Sequence, residues 1–442
     1  MTNLYATKEE FKEYRHNIME QDGKRVGPSR ILSKHIERPL NTKKLMGNDN
    51  VLVIGPAGSR KSRSIALPNL MQMSGSYIVH DKNGELLRNV GNVLKEFGYV
   101  IKVLNPLNPN ESDKYNPFNY IRKESEINTL AESLTIVSSR DEFFINAEKT
   151  LFCACIYYLI EHKKDMCSLD GLNKILKDAL QKGYLERTFA SVEPDCKAGL
   201  YYKAFTQAAG KIQNAIISQA YDDIKEYAGE IFSGKDTIQI NELGDKRMAV
   251  FIVTDPSADD YKQLPSMFYA QTLNTLYYIA DERAEKKGQR RHKEFRYHIT
   301  CVLDEFPAIG VIKDFEHKCA TMKLYNISSV IMIQDLAQVK SLYKDDHMLL
   351  LNNSSTVVIL SSIGVMNYDT LKYVAKSLDK ASLSEKNNIK TLTTMDSDYC
   401  IVFSESHRPI TDQKYRLEKH PMFYLTEEAN PRNRYIHVPQ EV

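Results

Sequence analysis

The chain has 442 residues, 42% hydrophobic and 26% charged, with a formal net charge of +2. Those figures describe a folded protein of two or three domains and exclude a disordered or low-complexity chain. The near-neutral charge also excludes the broad basic surplus of a non-specific nucleic-acid binder, leaving only a local basic surface for such a role.

Near the start, Thr7-Lys8-Glu9-Glu10 has the form of a capping box and predicts a helix to about Glu20, after which Gly27-Pro28 marks a turn. The next segment is the most telling. Val51-Leu52-Val53-Ile54 is an apolar, β-favouring run that enters Gly55-Pro56-Ala57-Gly58-Ser59-Arg60-Lys61-Ser62, nearly the phosphate-binding pattern GxxxxGK[ST]. Such a loop wraps phosphate oxygens with backbone N–H groups, and the following helix adds its positive end. In that reading Lys61 reaches the β- and γ-phosphates and Ser62 holds Mg²⁺. The nucleotide-contacting set is Gly55, Ala57, Gly58, Ser59, Arg60, Lys61, Ser62 and Arg63. Arg60 stands where the pattern asks for Gly. It is expected to adopt helical φ/ψ with its side chain pointing outward, because a bulky residue cannot approach phosphate closely. The helix from about Lys61 is expected to stop at Pro68.

Residues 76–81 read as a strand ending in a turn at Asn83-Gly84, followed by a helix over about 85–96 and a strand at 100–104. This β-α-β-α-β order predicts a parallel, helix-covered sheet. From about 124 to 231 the pattern is helical, with segments at 147–162, 169–181 and 204–227 and Pro194 as the sole proline. That stretch is read as an all-α domain, 124–235, inserted into an α/β domain made of 1–123 and 236–442. Strand patterns return at 248–254, broken by Asp255-Pro256, and a helix is expected over 275–284. The run Lys286-Lys287-Gly288-Gln289-Arg290-Arg291-His292-Lys293 predicts a solvated basic loop.

Ile299-Thr300-Cys301-Val302-Leu303 then leads into Asp304-Glu305. By itself an apolar strand ending in two acids marks only a strand end. Paired with the loop at 55–62 it supplies Asp304 for Mg²⁺ and Glu305 as the base for an attacking water. A third strand, 328–333, ends at Gln334, which can orient water or sense the γ-phosphate. The catalytic set is therefore Glu305, Gln334 and Lys61, and the metal set Ser62 and Asp304. A further strand is expected at 356–361, and 414–442, polar with several prolines, is expected to be a partly ordered tail.

No run of 18 or more apolar residues is present, and the first ten residues lack the apolar core of a signal peptide, so no membrane helix or leader is expected. The seven cysteines form no CxxC pair and the histidines no metal-binding spacing, predicting reduced cysteines and no transition-metal site.

Taken together, the loop at 55–62, residues 76–86, Ser112-Asp113-Lys114-Tyr115-Asn116-Pro117-Phe118, Ala208-Ala209-Gly210-Lys211, Leu303–Gly310 and Gln334-Asp335-Leu336-Ala337-Gln338 occur in the order of one family. The chain resembles the coupling proteins of conjugative type IV secretion, the TraG/TraD-type DNA-transfer ATPases, over roughly residues 5 to 380. The resemblance implies a RecA-like nucleotide-binding domain with an all-α domain, ATP and Mg²⁺ as cofactors, and a hexamer with nucleotide at subunit interfaces. It implies single-stranded DNA with its relaxase, and secretion-channel components, as partners. It also places the protein at the cytoplasmic face of the bacterial membrane. The chain itself, lacking the family's usual membrane helices, is expected to be soluble and to be held there by a missing segment or a partner. Related ring ATPases often supply an arginine finger after the Asp-Glu strand, but residues 318–326 offer Lys323 and no Arg. Lysine lacks the planar fork that spans a phosphate. The alternatives are an ATP-binding docking platform with little turnover, or a helicase or chromosome-partitioning motor.

Overall fold

The computed structural model describes residues 20–21, 24–25, 28–40, 47–136, 141–255, 260–286, 288, 293–361, 368–378, 392, 394–404 and 408–439. The helix expected from the capping box at 7–10 lies outside these residues. So do Gly27 and, within the basic run, Lys287 and residues 289–292.

The chain divides into two compact units. The first comprises Met1–Lys102, Asn241–Pro256 and Leu276–His437, and the second Val103–Ile240, Ser257–Thr275 and the last five residues.

The first unit is built on a nine-stranded sheet. Its strands in chain order are β1 (Val51–Ile54), β2 (Ser76–Lys82), β3 (Val100–Leu104), β4 (Met248–Thr254), β5 (Ile299–Leu303), β6 (Ile327–Ile333), β7 (Thr356–Leu360), β8 (Tyr399–Ser404) and β9 (Ile410–Gln413). In space the order is β9-β8-β7-β1-β6-β5-β2-β4-β3. From β7 to β4 every neighbouring pair is parallel, with Val330 opposite Val51 and Cys301 opposite Ser329. Both faces of such strands are covered, so they carry continuous apolar runs: β1, β5 and β6 are buried along their whole length. At the other side β8 and β9 continue the sheet antiparallel as a hairpin. The sequence reading places no strand at either, although Tyr399-Cys400-Ile401-Val402-Phe403 is an apolar, β-favouring run.

At the amino ends of β5 and β6 a small antiparallel hairpin, Ser29–Ile31 with Glu37–Pro39, buries an arginine. Arg30 donates to Ser328 Oγ at 2.8 Å, Thr300 Oγ1 at 3.1 Å and the Asp49 carbonyl. Burial pushes its pKa down to about 10. His298 lies beside it, its ring within 2.7 Å of Ser328 Oγ and 2.8 Å of Asn326 Oδ1. Burial lowers the His298 pKa to about 4, so the ring is neutral in the fold. The unfolded chain binds a proton on this group between pH 6.5 and about 4, so its stabilising contribution is lost as pH falls through that window. Asp81, raised by burial to about 7, titrates in the opposite sense and offsets part of the slope. A His298→Gln comparison isolates the histidine. From pH 7 to 5 the wild type is expected to lose about 2 kcal/mol more than the variant in urea unfolding. Equal losses would show that the ring is charged in the folded state.

The helical backbone after the 55–62 loop starts with a wide π-type turn, Ser62–Ala66, and runs straight into Leu67–Met71. The expected stop at Pro68 does not occur. Pro68 is buried and directly follows the π-type turn, whose widened backbone accommodates a residue without an N–H. The helix Glu85–Glu96 falls as expected. The stretch after Lys414 is not a loose tail. Leu417 and Tyr435 are buried, the Tyr435 N–H donates to the Arg88 carbonyl, and a Cβ on Gly91 would collide with the Tyr435 ring at 2.3 Å.

The second unit is helical: Glu124–Leu134, Glu142–His162, Leu169–Ala179, Tyr184–Ala190, Lys197–Ala209 and Gln213–Ile224. Asp141 and Ser168 cap two of these helices through their side chains. The continuous helix expected over 204–227 is broken at Gly210, whose φ of +51° ends one helix before the next begins at Gln213. The helix Leu264–Lys286, which belongs partly to each unit, starts well before the expected 275. Among the described residues one helix, Glu142–His162, is long and apolar enough to cross a membrane. Its apolar stretch is 61% buried, and Tyr157 stacks on Tyr201 of the neighbouring helix, as in the core helix of a folded domain. All seven cysteines are free thiols.

Candidate active site

A parallel sheet places the loops that follow its strands along one edge, where ligands bind in open α/β folds. Here β1 leads to the loop 55–62, β5 to Asp304 and Glu305, β6 to Gln334, and β2 ends on Lys82. These residues line one cavity of about 350 Å³, together with Ala57 to Arg63 and Asp81.

The loop is shaped as a cradle. Gly55 leaves room for Ser59: a Cβ would come within 2.4 Å of Ser59 Oγ and 3.1 Å of Leu360 Cβ and would displace that hydroxyl. Gly58 takes φ +76°. Lys61 curls back, its Nζ donating to the carbonyls of Gly55 at 2.7 Å and Pro56 at 3.4 Å. Burial lowers its pKa, with the Asp304 and Glu305 charges opposing. The Ser59 hydroxyl is buried with no hydrogen-bond partner among the described residues. Ser62 Oγ donates to Asp304 Oδ2 at 2.7 Å. Burial raises the Asp304 pKa, with the Ser62 bond opposing. A hydroxyl and a buried carboxylate in contact, beside a cradle of N–H groups with an orphaned hydroxyl, are the donors that Mg²⁺ and a phosphate chain require.

Arg60 departs from expectation in its backbone and meets it in its side chain. Its φ is +67°, the left-handed region that Gly normally fills in this loop, not helical. The turn still needs that conformation whichever residue occupies it. The guanidinium points out of the cradle to Asp398 Oδ1 at 3.1 Å and is half exposed. Arg63 likewise turns to Glu418 at 2.5 Å and to Glu428. Because the arginine side chain is turned away, Arg60→Gly is expected to change nucleotide affinity by no more than about threefold in an equilibrium titration. A large loss would show that the guanidinium reaches the nucleotide.

Glu305 also stands at positive φ, +50°. Its Oε1 accepts from Gln334 Nε2 at 3.0 Å and its Oε2 from Lys82 Nζ at 3.2 Å. A strained residue whose side chain is held from both sides is a mark of a functional position. Sequence reasoning missed Lys82; its place one residue after Asp81, at the tip of a strand in the same parallel sheet, is the signal that could have found it. Behind the acids, His80 spans Asp304 O at 2.5 Å and Thr254 Oγ1 at 2.9 Å and is kept neutral by burial, its pKa lowered to about 4.

Lys323, in the stretch that the resemblance marks for an arginine finger, donates to the Gly47 carbonyl at 2.5 Å. Of the basic run at 286–293, Lys286 pairs with Glu282 and Lys293 with Asp281. Elsewhere, in the second unit, the fold brings Glu161, His162 and Cys196 together, which residue spacing did not signal. Cys196 Sγ and His162 Nε2 are 4.0 Å apart, wider than the roughly 3.5 Å that bond lengths to one zinc ion imply.

Fold and site together define a RecA-like P-loop protein with an all-α domain. Two structures of the plasmid coupling protein TrwB share that architecture. One, with a non-hydrolysable ATP analogue, has a TM-score of 0.64 at 15% identity and covers 93% of this chain and 93% of its own. The other, with ADP and Mg²⁺, has a TM-score of 0.59 at 16% identity and covers 83% of this chain and 85% of its own. The chain belongs to the family described as type IV secretory system conjugative DNA transfer, whose model matches residues 7–414. Protein VirD4 of Agrobacterium fabrum is 22% identical over 376 residues, 81% of this chain and 53% of its own length. The chain thus spans about half the length of the curated relatives it matches.

Proposed function

We propose that this chain is the ATP-dependent motor part of a conjugative coupling protein, which receives relaxase-bound single-stranded DNA and drives it to a type IV secretion channel. The observation that carries the nucleotide site is the meeting of Lys61, the Ser62–Asp304 pair and the Lys82–Glu305–Gln334 group around one cavity. In this reading the loop 55–62 binds the phosphates through backbone N–H groups, with Lys61 on the β- and γ-phosphates. Ser62 and Asp304 would hold Mg²⁺, which screens the phosphate charge. Glu305 orients the attacking water and accepts its proton, and Gln334 aims the carboxylate. Lys82 holds the Glu305 carboxylate from its other side until the water is in place.

We assign the nucleotide-binding domain to 1–123 and 236–442 and the all-α domain to 124–235; the compact helical unit itself is wider, Val103–Ile240 with Ser257–Thr275. Hexamer assembly with nucleotide at the interfaces, and attachment at the cytoplasmic face of the membrane, belong to the same reading and rest on membership of the family. A docking platform with little turnover is the second reading. Two observations favour it: Glu305 is tied to both neighbours, and Lys323 is committed to Gly47 in a stretch without Arg. Loss of a finger arginine costs about 10³–10⁵ in rate in comparable NTPases. Mg-ATP hydrolysis with and without single-stranded DNA, over a range of protein concentration, tests the proposal. DNA-stimulated turnover that steepens with concentration supports the motor, and binding without turnover under every condition supports the platform.

A further inference from the structure

We infer that Lys414 is a positioning residue for the nucleotide site: its buried ammonium grips the carbonyl of Ser59 and so aims the Arg60 N–H into the phosphate cradle. The inference rests on the nucleotide reading of the loop but concerns a residue on the antiparallel side of the sheet, far from the motif in sequence.

Lys414 follows the edge strand β9 and is only 5% exposed. Its backbone N–H donates to the Asp398 carbonyl at 2.8 Å, fixing where its side chain starts. Its Nζ donates to Ser59 O at 2.8 Å and to Ser361 O, just past β7, at 2.5 Å. One ammonium therefore ties the phosphate loop to the end of a sheet strand. In a planar trans peptide the carbonyl and the next N–H point in opposite directions. Holding Ser59 O against Lys414 turns the Arg60 N–H the other way, toward the cavity.

The grip matters because of the residue next to Ser59. Arg60 is held at φ +67°, a conformation that the Cβ of a non-glycine residue disfavours. With Gly in this place the loop adopts it freely. With Arg something must hold the peptide against its own preference. Asp398, which pairs with both Arg60 and Arg416, braces the side chain, and Lys414 braces the backbone. The hairpin β8–β9 and its exit thus compensate for the missing glycine. The charged and titratable groups facing Lys414 are Cys400, Arg60, Asp398 and Asp396, and burial pushes its pKa down to about 8.

The test is equilibrium titration of the whole chain with a non-hydrolysable ATP analogue and Mg²⁺, from about pH 6.5 to 9. The charge on Lys414 strengthens the grip, so the affinity it supports is full below pH 8 and weakens as pH rises through that value, when the neutral amine keeps only ordinary hydrogen bonds. Lys414→Met is expected to weaken binding about tenfold at pH 7 and to remove that part of the pH dependence. Adding Arg60→Gly to Lys414→Met is expected to recover several-fold, because Gly needs no brace to keep positive φ. A folded Lys414→Met chain with wild-type affinity and pH profile would overturn the inference. So would a loss that Arg60→Gly does not relieve. Should Lys414→Met fail to fold, wild type and Arg60→Gly decide it: affinity falls above pH 8 more steeply in the wild type, and identical slopes overturn the inference. If the wild type binds no nucleotide at all, the site reading itself falls, and this inference with it.

Discussion

Lys61→Ala is expected to weaken Mg-nucleotide binding about a hundredfold or more while leaving the fold intact. The ammonium is the one cation inside the cradle whose described bonds go only to loop carbonyls, those of Gly55 and Pro56. Both bonds are of a kind a phosphate oxygen can replace. Charge-assisted hydrogen bonds of this sort contribute about 1.5–3 kcal/mol each, and the phosphate chain offers more than one acceptor. Against this stands the desolvation that lowers the Lys61 pKa, which works against the folded state when no anion is bound. Removing the ammonium therefore lifts a burden on the free protein while deleting an attraction in the complex. The thermal midpoint of Lys61→Ala should hold or rise as its affinity collapses, and calorimetric titration beside a melting curve reads both. Unchanged affinity would remove the phosphate-loop assignment. A fallen midpoint with proportionate loss of affinity would make Lys61 a structural residue.

The loop and its partners were legible because parallel strands encode themselves twice, in continuous apolar runs and in the polar residues at their tips. Val51–Ile54, Ile299–Leu303 and Ile327–Ile333 are buried throughout, so their ends at Gly55, Asp304 and Gln334 could be located from sequence. What stayed hidden depends on tertiary pairing. In the hairpin of Tyr399–Ser404 and Ile410–Gln413 only the second strand is an edge with a weak pattern; the first carries the buried run Cys400–Val402, a signal the sequence offered. Lys414 has no local signature, since its bonds run to Ser59 and Ser361, 355 and 53 residues away. Residue type alone points to helical φ/ψ for Arg60; the turn imposes the left-handed conformation regardless, and residues remote in sequence hold it there. The segment after Lys414 looked like a tail because it has no periodicity. It is held instead by short turns and single anchors such as Leu417 and Tyr435.

Glu305→Gln is expected to separate binding from turnover. The substitution keeps the shape of the side chain and an oxygen that can still accept from Gln334 Nε2, now 3.0 Å from Oε1. It removes the charge that Lys82 faces at 3.2 Å and the repulsion that helps raise the Asp304 pKa. With one carboxylate fewer beside the phosphates, nucleotide affinity should stay the same or rise. Proton acceptance from water is lost, because a neutral amide cannot take it, and loss of a general base costs about 10²–10⁴ in rate. Single-turnover phosphate release, measured beside nucleotide titration, gives both quantities for wild type and variant. Retained affinity with release slowed by two orders of magnitude or more would establish Glu305 as the base. Equal release rates in the two chains would move that role elsewhere. If both chains bind nucleotide and neither releases phosphate, even with single-stranded DNA present, the Lys82–Glu305–Gln334 group is a locked arrangement. The chain would then act as a nucleotide-gated platform.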